Sequence, residues 1–311
     1  MKKIAPVKPR CLVKGDTIGI VAPASSFDRD NFKQGVAMLR SLGYSIKYER
    51  AIFNTCWSKP GHYKQRAFQI NRMFADPQVK AIFCAKAGTG SAEIIPYLDK
   101  KVIRNNPKIF VGYSDITIIL LYLQKIANMV VFHGPVVADE IYQDMHPLTL
   151  EYLQTLCGQA KPLGELKFLQ LIAFRHGKAS GRLVGGNLSL IIEAMNLPYH
   201  IAPRDCILFL EDTHESFETM QQYLLRLRRA GVFRKITGLV FGKITNPAGK
   251  EHDIGGIIDK IFKGYDIPIL YGFPSGHLQQ RGGLHVTLPF GIPVTIDSES
   301  LTLTIEEAAV T

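Results

Sequence analysis

Lys108-Ile109-Phe110-Val111-Gly112-Tyr113-Ser114-Asp115-Ile116-Thr117 passes from an apolar run into the start of a helix. Ile109 to Val111 follow Asn105-Asn106-Pro107 and read as a buried strand. Ile116 to Ala127 is apolar and free of Gly and Pro, which predicts a buried helix. Ser114 falls at the turn between them, and Gly112 leaves room for that turn to be tight. Such a turn pushes a serine hydroxyl outward and aims the N–H groups of the next helix at an incoming oxyanion. The second Gly of a G-x-S-x-G elbow is replaced by Ile116. Taken alone, the stretch favours the plainer reading, in which Ser114 caps the helix.

Upstream, Gly15 to Ser26 reads as a turn, a buried strand and a loop. Asp30 to Leu42 carries helical periodicity, and Tyr44 to Tyr48 is a second strand. Lys64 to Phe74 is a further helix and Val79 to Ala85 a third strand. This alternation predicts a parallel sheet. Lys86-Ala87-Gly88-Thr89-Gly90-Ser91 then forms a Gly-rich strand-to-helix turn before a short helix through Ile94 to Leu98. Its exposed N–H groups suit an anion; the plain alternative is a tight turn. No G-x-G-x-x-G or Walker pattern is present, so a phosphate loop at Ala22 to Ser26 is disfavoured. The Gly88 turn and Ser114 open at the same sheet edge, where ligands bind in such folds. Met129 to Phe132 is another strand, followed by His133, either a base or a structural residue.

Residues from about Gly158 to Lys178 show no strong helix and read as a crossing between domains. Gly185-Gly186 calls for positive φ or close backbone approach, and Asn187 is placed to cap the next helix. Cys206 to Leu210 is a buried strand that delivers Glu211-Asp212 at its end. These carboxylates either cap the helix Phe217 to Ala230 or orient a catalytic base. Strands follow at Ile236 to Phe241 and Ile269 to Phe273, with a helix at Ile254 to Phe262. His277 sits just after the second strand in Pro274-Ser275-Gly276-His277. The tail from Gly283 to Thr304 alternates as β structure.

The chain has 311 residues, 46% hydrophobic and 21% charged, which suits two globular domains. The basic N-terminus lacks an apolar h-region, so no signal peptide is read, and no apolar run is long enough to span a membrane. Cys11, Cys56, Cys84, Cys157 and Cys206 are scattered, without C-x-x-C spacing. That argues against a disulfide framework or a zinc ribbon and for a reducing compartment, with Cys84 and Cys206 as inert core residues. The net charge of +10 is dispersed. Its tightest group, Arg226 to Arg229, reads as the solvated end of an amphipathic helix, so nucleic acid is not singled out as a partner, and acidic small molecules or cell-envelope fragments fit a diffuse positive field equally well.

Ser114, Glu211 and His277 occur in the order nucleophile, acid, base, each at the end of an expected strand. With Gly112-Tyr113-Ser114-Asp115, Gly185-Gly186-Asn187-Leu188-Ser189 and Leu210-Glu211-Asp212, the chain resembles the LD-carboxypeptidase family of serine peptidases over nearly its whole length. That family includes muropeptide LD-carboxypeptidases and microcin C self-immunity peptidases. The resemblance implies an α/β fold: an N-terminal flavodoxin-like parallel-sheet domain and a C-terminal domain with a β-rich core. We place these at 1–160 and 179–311 with a linker at 161–178. It also implies an active site at their junction, a homodimer, cytoplasmic residence, no cofactor and no metal.

Carried over by motif, Ser114 is the nucleophile, Glu211 the triad acid and His277 the base, ahead of Glu215, Glu218, His214 and His285. The oxyanion hole uses the N–H of Asp115 and one from Ala87 or Gly88. The family usually shows Arg-Gly-Gly-Tyr-Gly where this chain has Lys86-Ala87-Gly88-Thr89-Gly90, and Gly-Thr-Pro-Tyr where it has Asn196-Leu197-Pro198-Tyr199. Lys86 is the candidate cation for a substrate's terminal carboxylate. The implied reaction releases terminal D-alanine from murein tetrapeptides. The rivals are a microcin C-type acyl-amidate peptidase and a catalytically idle muropeptide-binding protein. A nucleotide-binding regulator built on the Gly88 loop is a third class, and no tight ATP or NAD binding is expected.

Overall fold

The computed structural model describes residues 5–54, 62–141, 145–201, 203–246, 248, 250, 254–277 and 282–311. Cys56 and the first residues of the basic N-terminus lie outside them. The chain opens with β1 (Thr17–Val21), α1 (Arg29–Ser41), β2 (Ser45–Lys47), α2 (His62–Ala75) and β3 (Val79–Cys84). The short α3 (Ser91–Ile94) and α4 (Lys100–Asn105) precede β4 (Ile109–Gly112), α5 (Thr117–Ala127), β5 (Val131–His133) and α6 (Pro147–Gly158). The second half runs β6 (Gly164–Lys167), β7 (Ile172–Arg175), β8 (Lys178–Asn187), α7 (Leu188–Ala194), β9 (Cys206–Asp212) and α8 (Phe217–Arg229). It ends with β10 (Gly238–Ile244), α9 (Gly255–Ile261), β11 (Ile269–Tyr271), β12 (Leu288–Phe290), β13 (Pro293–Asp297) and β14 (Thr302–Ile305).

β3 and β4 are almost wholly buried apolar runs without alternation, as strands covered on both faces must be. They lie inside a six-stranded sheet of order β12-β5-β4-β3-β1-β2, in which β1 to β5 are parallel. Read from the other edge, 2-1-3-4-5 is the flavodoxin-like order, as expected. The sixth strand, β12, comes from the far end of the chain and pairs antiparallel with β5.

The second sheet has order β6-β14-β13-β8-β9-β10-β11-β7. Its four central strands, β8 to β11, are parallel, and the flanking pairs are antiparallel. The segment read as a crossing contributes the two edge strands, β6 and β7. Each is short and half-exposed, so its sequence carries little periodic signal. α6 was not read from the sequence either; its Pro147 at the first turn is a start signal, and His146 caps it. Asn187 accepts the N–H of Leu190, and Gly185 and Gly186 both take positive φ, as their sequence predicts. α8 buries Met220, Leu224 and Leu227 and ends in Arg226, Arg228 and Arg229, the amphipathic arrangement expected. Cys84 and Cys206 are buried in the core. Among the described residues, no helix is long and apolar enough to cross a membrane.

Candidate active site

β4 is buried at every position and delivers Tyr113 in an extended conformation. Ser114 then takes φ 59°, in the left-handed region. For a residue with a Cβ this costs on the order of 1–2 kcal/mol, so the surroundings must enforce it. Ile116 N–H donates to the Tyr113 carbonyl at 3.1 Å, closing the turn. Gly112 makes the closure possible through space rather than φ: a Cβ there would lie 2.8 Å from Ile116. The reading of Ser114 as a helix cap is overturned. No side-chain cap bond forms at the start of this turn or of α5. A capping serine needs β-region backbone, which φ 59° denies it.

At the end of β9, successive side chains point to opposite faces of the sheet, which separates the two carboxylates. Asp212 accepts from Asn187 Nδ2 at 2.9 Å and Ser189 N–H at 2.8 Å, tying β9 to the first turn of α7. Burial, with Glu211 next to it, raises its pKa to about 6. Glu211 is fully buried, and its Oε2 lies 2.7 Å from His277 Nδ1 and accepts the His277 N–H at 3.2 Å. Neither carboxylate caps α8; Ser216 does, through the N–H of Thr219. Gly276 has φ 93°, and a Cβ on it would sit 2.5 Å from the Glu211 carboxyl carbon. Only glycine lets this turn lie against the carboxylate.

Burial alone would raise the pKa of Glu211, but the charge and hydrogen bond of His277 outweigh it and bring the group down to about 2. The same pair works in reverse on His277. Burial opposes its charging, yet Glu211 holds the imidazole above its ordinary 6.5. A carboxylate on Nδ1 fixes the tautomer with its proton there, leaving Nε2 as the proton acceptor.

The elbow and the His277 turn meet at Tyr113, whose ring centroid is 5.1 Å from that of His277. The same ring lies 4.9 Å from His285 and 6.0 Å from His133. His133 is fully buried, with neither ring nitrogen partnered among the described residues, and burial lowers its pKa to about 3. It is therefore neutral, and its complete burial favours the structural alternative left open above. His285 is buried with Glu140, whereas His214 is exposed after β9. Glu218 lies exposed in the first turn of α8, and the Glu215 N–H bonds Thr245.

The Gly88 turn is joined to the elbow through Asp115, whose Oδ2 accepts the Ser91 N–H at 2.9 Å. Burial raises the pKa of Asp115 to about 6, against that bond. On the other side, Ser25 Oγ accepts the Thr89 N–H at 3.1 Å, and Ser25 N–H donates to the Ala87 carbonyl at 3.3 Å. Ala87 is not among the residues with positive φ, so its Cβ carries no backbone penalty. Lys86 Nζ is 3.5 Å from Asp139 Oδ1, both partly exposed. A cavity of about 820 Å³ lined by Arg104, Tyr122, Lys125, Pro198 and Tyr199 contains none of the residues just described.

Tyr113, Glu140 and Asp139 went unread as site residues. Tyr113 stood inside the quoted motif. Glu140 and Asp139 belong to a turn with no local pattern, and only the fold brings them here.

Residues 18–134 match the LD-carboxypeptidase N-terminal domain and residues 180–296 its C-terminal domain. The chain is 32% identical over 306 residues to a protein of Bacillus subtilis described as a probable murein peptide carboxypeptidase, covering 96% of this chain and 94% of that one. It is 27% identical to the microcin C7 self-immunity protein MccF of Escherichia coli, covering 95% and 94%. The crystal structure of an MccF-like protein from Bacillus anthracis superposes with a TM-score of 0.87 at 26% identity, over 96% of this chain and 99% of that one. Both domains in their order, and similarity along nearly the full length, establish that the chain belongs to the LD-carboxypeptidase family.

Proposed function

We propose that this protein is a serine LD-carboxypeptidase that releases terminal D-alanine from murein tetrapeptides. Ser114 Oγ attacks the carbonyl between the L-centre of the third residue and D-alanine, while His277 Nε2 takes the hydroxyl proton. Glu211 holds the imidazole in the required tautomer and stabilises the imidazolium. The oxyanion is received by the N–H of Asp115 and one from Ala87 or Gly88; losing one such donor costs about 10²–10³ in rate. The C–N bond then breaks, His277 returns its proton to the departing amine, and water hydrolyses the acyl ester on Ser114. Lys86, released from Asp139, receives the substrate's terminal carboxylate.

The observation that supports this reading most is the 2.7 Å Glu211–His277 contact, in a turn that packs on the residue before Ser114. A division into an N-terminal domain at 1–160 and a C-terminal domain at 179–311, with the site at their junction and the 161–178 segment supplying edge strands β6 and β7 of the second sheet rather than a free linker, belongs to the same reading. So do a homodimer, cytoplasmic residence and a role in recycling wall peptides, each resting on the family resemblance. Similarity to MccF favours a second reading, a microcin-type acyl-amidate peptidase with the same triad.

The deciding experiment offers purified protein murein tetrapeptides with meso-diaminopimelate or lysine at the third position, beside an acyl-sulfamoyl nucleoside. Release of D-alanine by wild type and not by Ser114→Ala is expected. Cleavage of the nucleoside alone would move the substrate to the second reading.

A further inference from the structure

Tyr113 is flanked by two histidines, the part-buried His277 and the fully buried His285, each paired with a glutamate through Nδ1 at 2.7 Å: His277 with Glu211, and His285 with Glu140. The mechanism uses the first pair only. We propose that Glu140 and His285 form a positioning pair that clamps Tyr113 against His277 and thereby fixes the Ser114 elbow. The inference rests on the serine-peptidase reading above and adds to it the device that keeps nucleophile and base in register.

The second pair is tightly held. Glu140 Oε1 faces His285 Nδ1, and its Oε2 accepts the Val136 N–H at 3.0 Å. The His285 N–H donates to Thr149 Oγ1 at 2.9 Å, at the start of α6. Three separate parts of the chain, the 136–141 turn, α6 and the segment before β12, therefore meet at one pair. The 136–141 turn is itself pinned to the end of β3 by Val137 N–H to Cys84 and Ala138 N–H to Ala85. His285 is fully buried and Glu140 nearly so. A buried ionisable pair is a poor source of stability, since desolvation offsets most of the attraction. What this pair does is geometric. The ring of His285 meets Tyr113 edge-on at 79°, and His277 meets it at 63°. The Tyr113 ring thus meets both imidazoles, one residue from Ser114.

The charge of Glu140 also reaches beyond His285. Burial raises the pKa of Tyr113 well above its ordinary value, and the charge of the nearby Glu140 carboxylate adds to this. The charged groups acting on His277 are Glu211, Asp212 and Glu140, all raising its pKa against burial. Neutral His133 lies close by, its ring 6.0 Å from that of Tyr113.

The test is labelling of Ser114 by a fluorophosphonate, which depends on the serine and its base but not on the peptide substrate. Rates are measured against pH for wild type, Glu140→Gln, Tyr113→Phe and the double variant. Both single variants should label about tenfold to 10²-fold more slowly, as expected for a displaced nucleophile, and the double variant no more slowly than the slower single. The pH midpoint should move down in Glu140→Gln, which loses the charge, and stay in Tyr113→Phe, which keeps it. With a labelled wild type, unchanged rates or an unmoved midpoint in Glu140→Gln overturn the inference. If Glu140→Gln does not fold, Tyr113→Phe decides: slowing supports the clamp and a wild-type rate refutes it. A wild type that does not label refutes the peptidase reading instead.

Discussion

The carboxylate of Asp115 accepts the backbone N–H of Ser91 at 2.9 Å, so the residue after Ser114 is bonded directly to the helix that follows the Gly88 turn. The two proposed sources of oxyanion donors are thereby tied together through one side chain, with Ser25 holding the Gly88 turn from its other side. Asp115→Ala keeps its own N–H but frees the turn. We expect kcat to fall at least tenfold with little change in KM, because the loss is confined to the transition state. Stability should fall by about 1–3 kcal/mol from the N–H left unpaired, measurable by urea unfolding.

The φ of 59° at Ser114 makes a second, independent prediction. Ser114→Ala and Ser114→Gly should both be inactive. Their stabilities should differ, with Gly the more stable by about 1 kcal/mol, because only Ala pays the left-handed backbone penalty. Equal melting temperatures would contradict the elbow.

His277 is raised above 6.5 by Glu211 and acts as a base only when neutral. Activity should therefore rise with pH through a midpoint above 6.5 in kcat/KM. In Glu211→Gln the midpoint should drop and kcat fall by about 10⁴, as when an anionic triad acid is made neutral. The same pair sets the acid limit of folding. Glu211, held at about 2 against an ordinary 4.5, contributes stability that is complete above 4.5 and is lost as pH falls toward 2. Acid unfolding of Glu211→Gln should lack that component.

Lys86 lies 3.5 Å from Asp139 in a partly exposed pair, an arrangement worth little in itself and easily exchanged. If Lys86 receives the terminal carboxylate, Lys86→Met should raise KM several-fold with kcat nearly unchanged. Asp139→Asn should lower KM. Steady-state kinetics on tetrapeptide checks both.

The parallel strands were legible because Ala81 to Cys84, Ile109 to Val111 and Cys206 to Leu210 are apolar runs, a pattern set by local composition. Ser114, Glu211 and His277 were legible because each follows such a run and matches a family motif. The edge strands β6 and β7 were not, since half-exposed strands need no apolar period. Without the family motif, the residues alone left the roles of Glu211 and Asp212 open, because alternation across the sheet is decided by which neighbours cover each face. Glu140 was invisible for a related reason. Its partner His285 lies 145 positions away, and no local pattern marks a contact of that span.

The most direct test is intact-protein mass spectrometry of the acid-quenched reaction with murein tetrapeptide. The account predicts an adduct equal to the tetrapeptide minus D-alanine, on the peptide containing Ser114, formed as D-alanine appears and absent in Ser114→Ala. D-alanine release that persists in Ser114→Ala, with no adduct on the wild type, would contradict it.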